Sequence, residues 1–312
     1  MMKILITGAN GFIGTYLANF FLKKGVHVIA TSRQFHPTTT KLLKGADLIE
    51  MDILSPTQLQ NIKPDADIII HTATANDILS KNTLKGIELS ALGTKNILDF
   101  AGKNHIDKCV VFSTFQVYGT ELTGAISEST ALNYQNDYGL NHLLAEMYAE
   151  MYSRQGKVKC VSVRPTNVYG PILTDAFNRW SLVPGCFCKE AFESGVIKIK
   201  SSGKQMRNFV HLENLSRAVE YIIQNFPDEH EHYNLASSQG NTMLEVAETV
   251  KQVYEKEFQK PLQVYIEGRE PEATNFFTVR MDKLKHIGFV EDNSFSLQSA
   301  IKQIFEYLKS KK

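Results

Sequence analysis

Thr7-Gly8-Ala9-Asn10-Gly11-Phe12-Ile13-Gly14 is the segment that most restricts what this chain can become. It follows a short, apolar, β-rich run from Lys3, and beyond it Ile13, Leu17, Phe20 and Phe21 recur at i, i+4, i+7 and i+8. That order predicts a strand feeding a glycine-rich turn and an amphipathic helix. Glycines at these positions would permit a tight turn, a close backbone approach to a ligand and tight packing of helix against strand. The amides and the dipole at such a helix start favour a phosphate. A nucleotide cofactor and an α/β architecture follow as expectations.

The first half of the chain keeps this rhythm. Apolar strands are expected at Val26 to Thr31, Asp47 to Met51, Ala66 to His71, Lys108 to Ser113 and Lys159 to Arg164, with helical segments between them. Such alternation predicts a Rossmann-type doubly wound parallel sheet covered on both faces, with ligand chemistry at the C-terminal strand ends. Those ends hold Thr7, Ser32, Asp52, His71, Thr114 and Arg164. Beyond Arg164 the chain turns to Pro/Gly-punctuated loops. A strand-like stretch, Phe209 to Leu212, is expected to return to the sheet, and a final amphipathic helix carries Leu297, Ile301, Ile304, Phe305 and Leu308. The 312 residues suffice for two domains. Residues 1–165 and about 209–236 are assigned to a dinucleotide-binding domain, and about 166–208 and 237–312 to a smaller, discontinuous α/β substrate-binding domain.

With 34 basic against 33 acidic side chains, net charge +1, the totals carry no footprint for nucleic acid or a membrane surface. No apolar run reaches bilayer length and the chain opens on a strand, so the cytoplasm is the expected compartment. Cys109 and Cys160 fall in strand-like runs and read as small buried hydrophobes. Cys186 and Cys188 lack the second pair that a metal site needs, so neither metal nor disulfide framework is expected.

Taken in order, TGANGFIG, Asp52-Ile53, His71-Thr72-Ala73, Ser113-Thr114 with Val117-Tyr118-Gly119, Tyr138, Arg164-Pro165 with Asn167, and Arg207-Asn208-Phe209-Val210-His211 resemble a known family. It is that of the extended short-chain dehydrogenases/reductases, and within them the NAD(P)-dependent epimerase/dehydratase branch that acts on nucleotide-linked sugars. The resemblance runs from Lys3 to about Gly288-Phe289. It implies cofactor contacts at Gly8, Asn10, Gly11, Phe12, Ile13 and Gly14 around the pyrophosphate turn, and at Asp52 and Ile53 beside the adenine. Thr72, Ala73, Ser90, Tyr138 and His142 complete that set. Where an NAD-type member carries an acid at the second strand end, this chain has Ser32 followed by Arg33. A carboxylate would repel a 2′-phosphate, whereas a hydroxyl and a guanidinium can bind one, so NADP is preferred, with NAD as the alternative.

The resemblance also implies a catalytic Tyr, matched by Tyr138, and a hydroxyl on the same substrate oxygen, matched by Thr114. The family activates its Tyr with a Lys four residues later. Position 142 shares the helical face of Tyr138, but it is His142, which can take over the ribose contact and is largely neutral near pH 7. The family's dehydratases follow the Thr with Asp-Glu, and its decarboxylases keep the Glu; Phe115 and Gln116 stand here, and neither can act as acid or base. Redox chemistry at a sugar carbon remains, as reduction of a 4-keto sugar or as C4 epimerisation.

For the substrate, the resemblance implies diphosphate binding by Arg207, with Thr114, Asn167 and Arg280 as further contacts and Arg269 nearby. His71 and His211 are expected to shape pockets rather than transfer protons. The reading is an NAD(P)-dependent reductase or epimerase of a nucleoside-diphosphate sugar, and the resemblance implies a homodimer built from two helices per subunit. The alternative is a catalytically weak dinucleotide-binding sensor or scaffold that lacks the family Lys.

Overall fold

The computed structural model describes residues 2–177, 179–268 and 276–311. The chain forms two compact units: Met1–Thr120 with Glu128–Pro165 and Val219–Leu235, and Glu121–Ser127 with Thr166–Ala218 and Ala236–Lys312.

In chain order the strands are β1 (Lys3–Thr7), β2 (His27–Ser32), β3 (Asp47–Glu50), β4 (Ile68–His71), β5 (Lys108–Phe112), β6 (Gly124–Ile126) and β7 (Lys159–Pro165). They continue with β8 (Asn167–Tyr169), β9 (Val196–Ile199), β10 (Met206–His211), β11 (Glu231–Leu235), β12 (Gly240–Thr242), β13 (Gln263–Ile266) and β14 (Phe277–Val279).

The first unit is built on a seven-stranded sheet in the order β11-β7-β5-β4-β1-β2-β3, parallel throughout. This is the expected doubly wound sheet. β1 leads outward to β2 and β3, and the chain then returns to place β4 on the other side of β1, with Thr7 opposite His71. The direction of winding reverses there, which opens a crevice beyond the C-terminal ends of β1 and β4. One face of the sheet buries Leu5, Ile29, Ile69 and Val111 against Ile97, Leu98, Ala145 and Ala149 from two helices, Gly93–Lys103 and Asp137–Arg154. Each such aliphatic side chain contributes about 1.5–3 kcal/mol on burial, so the strand ends rest on a rigid base. Cys109 and Cys160 lie opposite each other on β5 and β7 in this core as free thiols.

The second unit has its own core, in which Ile197, Phe209, Val246, Val250, Ile301 and Phe305 meet. Its sheets are small: β12-β10-β8, β13-β9 and β14-β6. The closing helix, Leu297–Lys309, turns Ile301, Ile304, Phe305 and Leu308 inward, the stripe its spacing predicts. One expectation fails. The stretch from Phe209 to Leu212 does not rejoin the large sheet: Phe209 to His211 pair with β8, and Leu212 begins a helix. The strand that rejoins it is β11, beside β7. Apolar β-branched residues mark a strand, but its partner is chosen by burial far along the chain.

Candidate active site

The turn after β1 is shaped by missing side chains. Gly8 has φ +68°, the left-handed region where a side chain is strained. A Cβ on Gly14 would stand 2.3 Å from the Gly8 carbonyl oxygen, and one on Gly11 would meet only that oxygen, at 3.1 Å. Gly14 therefore allows the helix Phe12–Lys23 to press on the turn, while Gly11 leaves space in front of the helix start. Gly11 is the N-cap and brings no capping side chain, and the first turn holds no acid to repel an anion. This cradle fits the pyrophosphate of a dinucleotide. Phe12 is buried and Ile13 half-buried behind it, and Asn10 accepts from the His36 amide at 3.1 Å, tying the turn to the loop after β2.

Behind the cradle runs a directed chain of buried hydrogen bonds. Thr94 donates to the Ser90 carbonyl at 2.5 Å, so it accepts from Nε2–H of His71 at 3.0 Å, and Nδ1 then accepts from the Thr7 hydroxyl at 2.7 Å. Burial, reinforced by His142, lowers the His71 pKa to about 3, so the ring is neutral. Thr72 donates to the Thr7 carbonyl at 2.6 Å, and both it and Ala73 crowd Gly8. Ser90 is fully buried, and its hydroxyl accepts from the Ala75 amide at 3.0 Å. A wide π-helical turn, Glu88–Leu92, brings it there.

At the outer end, Ser32 closes β2 half-buried and Arg33 is exposed. The Asp52 carboxylate accepts from the Leu54 amide at 2.9 Å, and Ile53 is buried beside the point where Gly93 makes its closest approach.

Thr114 follows β5, only 5% exposed, and accepts from the Gln116 amide at 3.3 Å. The neighbouring Ser113 hydroxyl is buried without a hydrogen-bond partner. Tyr138 lies half-buried in the first turn of the helix Asp137–Arg154, whose N-cap Asn136 accepts from the Gly139 amide at 2.8 Å. Its ring meets His142 edge to face at 4.7 Å between centroids. His142 is 3% exposed and donates Nδ1–H to the Phe112 carbonyl at 3.3 Å. Burial depresses its pKa to about 4, offset only in part by the Phe112 carbonyl, the Glu146 carboxylate and the Ala75 carbonyl, so the ring is neutral.

In the second unit, Arg207 is exposed on β10, its guanidinium 3.5 Å from the Gln205 side chain. The Asn167 amide donates to the Asn208 carbonyl at 2.8 Å, and Arg280 is paired with Asp282 at 2.5 Å. Arg269 lies outside the described residues. His211 is buried, stacks on Phe295 at 5.3 Å and accepts from the Glu213 amide, so it is engaged within its own unit. Among the described residues no cluster could hold a metal ion, and no helix is long and apolar enough to cross a membrane.

Sequence reasoning missed a buried group of polar residues behind this site: Glu146, Asn234 and their bonds to Arg164 and Tyr118. One signal was available. Glu146 falls four residues after His142, on the face of the helix that also carries Ala145 and Ala149, where an unpaired carboxylate would be costly.

The sequence profile of the family described as NAD dependent epimerase/dehydratase matches residues 4–236. A Methanocaldococcus jannaschii protein provisionally described as a UDP-glucose 4-epimerase is 24% identical over 311 residues, 98% of each chain. A dTDP-D-glucose 4,6-dehydratase of Dictyostelium discoideum is 28% identical over 248 residues, 72% of this chain but 56% of that one, so this chain spans little more than half its length. The crystal structure of a Bacillus cereus UDP-glucuronic acid 4-epimerase with UDP-glucuronic acid and NAD covers the whole of both chains, with TM-score 0.82 and 23% identity. With this fold and a profile match over most of its length, the chain belongs to the NAD dependent epimerase/dehydratase family.

Proposed function

We propose that this protein is an NAD(P)-dependent oxidoreductase or epimerase of a nucleoside-diphosphate sugar, and that reduction of a keto sugar is its favoured direction. The observation that carries the direction is His142, buried, neutral and edge-on to Tyr138, where the family resemblance calls for a Lys. A free tyrosine has a pKa of ~10, so a tyrosinate base near pH 7 needs a fixed cation beside it. A neutral imidazole does not supply one. The protonated phenol, by contrast, is already the acid that ketone reduction requires.

In this reading a bound nicotinamide would supply hydride chemistry at the carbonyl carbon. Tyr138 gives its proton to the carbonyl oxygen, and Thr114 hydrogen-bonds that oxygen as negative charge develops. The glycine cradle holds the pyrophosphate, Asp52 and Ile53 face the adenine, and His142 supports the ribose side. Ser32 and Arg33 take a 2′-phosphate, so NADP is preferred over NAD. Arg207, exposed and hydrogen-bonded to the neutral Gln205 side chain, is the guanidinium assigned to the substrate diphosphate. Arg280 is already engaged by Asp282, and Asn167 by its neighbouring strand, which makes both secondary. Phe115 and Gln116 exclude the acid–base pair that elimination would need.

A homodimer belongs to this reading. Leu84 and Leu92 before the helix Gly93–Lys103, and Met147 and Met151 on the helix Asp137–Arg154, are 67%, 45%, 56% and 38% exposed, an apolar cost that a second copy would remove. Four free thiols support a cytoplasmic location.

The test is mass spectrometry of small molecules released from the purified protein. NADP and a nucleoside-diphosphate sugar are expected; a ligand of another class would overturn the reading. A second reading rests on the same neutral His142: a dinucleotide sensor would hold NADPH tightly yet consume none with any sugar nucleotide.

A further inference from the structure

The proposed chemistry needs Thr114 and Tyr138 at one oxygen, yet they sit on different segments: the turn Phe115–Tyr118 that Thr114 caps, and the helix Asp137–Arg154. Two sets of bonds join these segments. At the front, Asn136 donates from Nδ2 to Gln116 Oε1 at 3.1 Å while its own oxygen caps the helix at Gly139. A Cβ on Gly139 would stand 2.9 Å from the Gln116 carbonyl oxygen, so helix and turn are in direct backbone approach. At the rear, two turns further along the helix, Glu146 receives both arms of Arg164, from Nε at 2.9 Å and Nη2 at 2.6 Å. The third guanidinium nitrogen, Nη1, donates to the Tyr118 hydroxyl at 2.7 Å, and that hydroxyl donates to Asn234 on β11 at 3.0 Å.

We infer that Gln116, Tyr118, Glu146 and Arg164 are positioning residues that clamp the Thr114 turn to the Tyr138 helix at points on either side of Tyr138 and His142. The four rear members are 0–3% exposed, so each bond is shielded from water. The Arg164 guanidinium carbon also lies 5.0 Å from the Tyr118 ring centroid, which fixes the plane of both groups. A buried ion pair is seldom retained for stability alone, because well-packed apolar residues of similar volume serve equally well or better. The third arm of Arg164 is what an apolar pair could not reproduce. Gln116, which cannot do the acid–base work of the family's dehydratases, has a positioning task here instead.

The inference rests on the proposed reaction, and the experiment separates the two. Tyr118→Phe removes one hydroxyl and leaves the ring; the double variant Glu146→Leu/Arg164→Met replaces the ion pair by apolar volume. Amide hydrogen exchange is read on the NADPH-loaded protein without substrate, and turnover is read with a UDP-linked 4-keto sugar and NADPH as the probe pair. Both variants are expected to keep Tm within a few degrees and to speed exchange at Gln116, Val117 and Gly139 at least about ten-fold, with the turn at Gly8 to Thr15 unchanged. For the probe, kcat should fall about ten-fold or more with KM within about two-fold. Unchanged exchange in both variants, or faster exchange with unchanged kcat, would overturn the clamp. A parent enzyme silent towards the probe would count against the proposed reaction, while the exchange result still decides the clamp.

Discussion

At the end of β1, three glycines let backbone lie against backbone, and the shape is stored in neighbouring residues. At the start of the helix Asp137–Arg154, the reactive geometry is held by Gln116, Tyr118, Glu146, Arg164 and Asn234, drawn from segments more than a hundred residues apart in sequence. The first region is local and steric; a glycine is required where a Cβ would collide. The second is non-local and polar; each side chain is required because burial leaves its partner no water to turn to.

The steepest effect should come from the steric region. Gly14→Ala puts a Cβ 2.3 Å from a backbone oxygen, so turn and helix must separate. An overpacking cost of about 1–3 kcal/mol or more, with loss of dinucleotide binding, is expected in thermal melts and NADPH titration. Gly11→Ala, whose Cβ meets the same oxygen at 3.1 Å, should fold nearly normally and lose affinity alone. Equal behaviour of the two variants would dissolve the distinction between packing and cradle.

Arg33→Ala should weaken NADPH by about 1.5–3 kcal/mol, the worth of a charged hydrogen bond, and spare NADH. Matching affinities of the parent protein for the two cofactors would remove Arg33 from the site. In the second unit, Arg207→Ala should raise the dissociation constant for UDP roughly ten-fold, with NADPH affinity intact. An equal loss of both would give Arg207 a structural role.

The smallest effect per side chain is on stability against pH. His71, His142, His211 and His230 are held by burial at pKa values of about 3, 4, 4 and 3, below the ordinary 6.5. In the unfolded chain they take up protons below about pH 6.5, while the folded protein refuses them down to about pH 4. Their contribution is complete above pH 6.5 and is lost as pH falls through the 6.5 to 3 window. Unfolding free energy from denaturant titrations should drop between pH 6.5 and 5, above the carboxylate range, by about 1 kcal/mol per pH unit for each of these rings that stays neutral in the fold. A flat profile there would mean that the rings are not neutral in the fold.

The same contrast explains what was legible in the sequence. The β1 turn, the alternating strands and the stripe Ile301, Ile304, Phe305 and Leu308 are written in short spacings, and they stand in the structure where periodicity puts them. Phe209 to Leu212 misled because strand propensity names no partner, and the true neighbour of β7 lies some twenty residues later, at Glu231–Leu235. Tyr138 and His142 could be placed on one helical face from spacing alone, whereas the neutrality of His142 depends on Phe112, Ala75 and the depth of the surrounding core. Ser90 could be singled out, but its bond to the Ala75 amide arises from a π-helical turn that no local pattern announces. Gln116 was legible as a missing acid; its hold on Asn136 was not.

In the proposed reaction Tyr138, as a neutral phenol, gives the proton in a nicotinamide-dependent reduction. The most direct measurement is NADPH consumption with a 4-keto sugar nucleotide by the parent protein and by Tyr138→Phe, alongside NADPH affinity. Stoichiometric oxidation is expected of the parent, and a rate lower by about 100- to 10,000-fold in the variant, with affinity unchanged. Full activity of Tyr138→Phe would contradict it, and the proton would have to come from another group or from water.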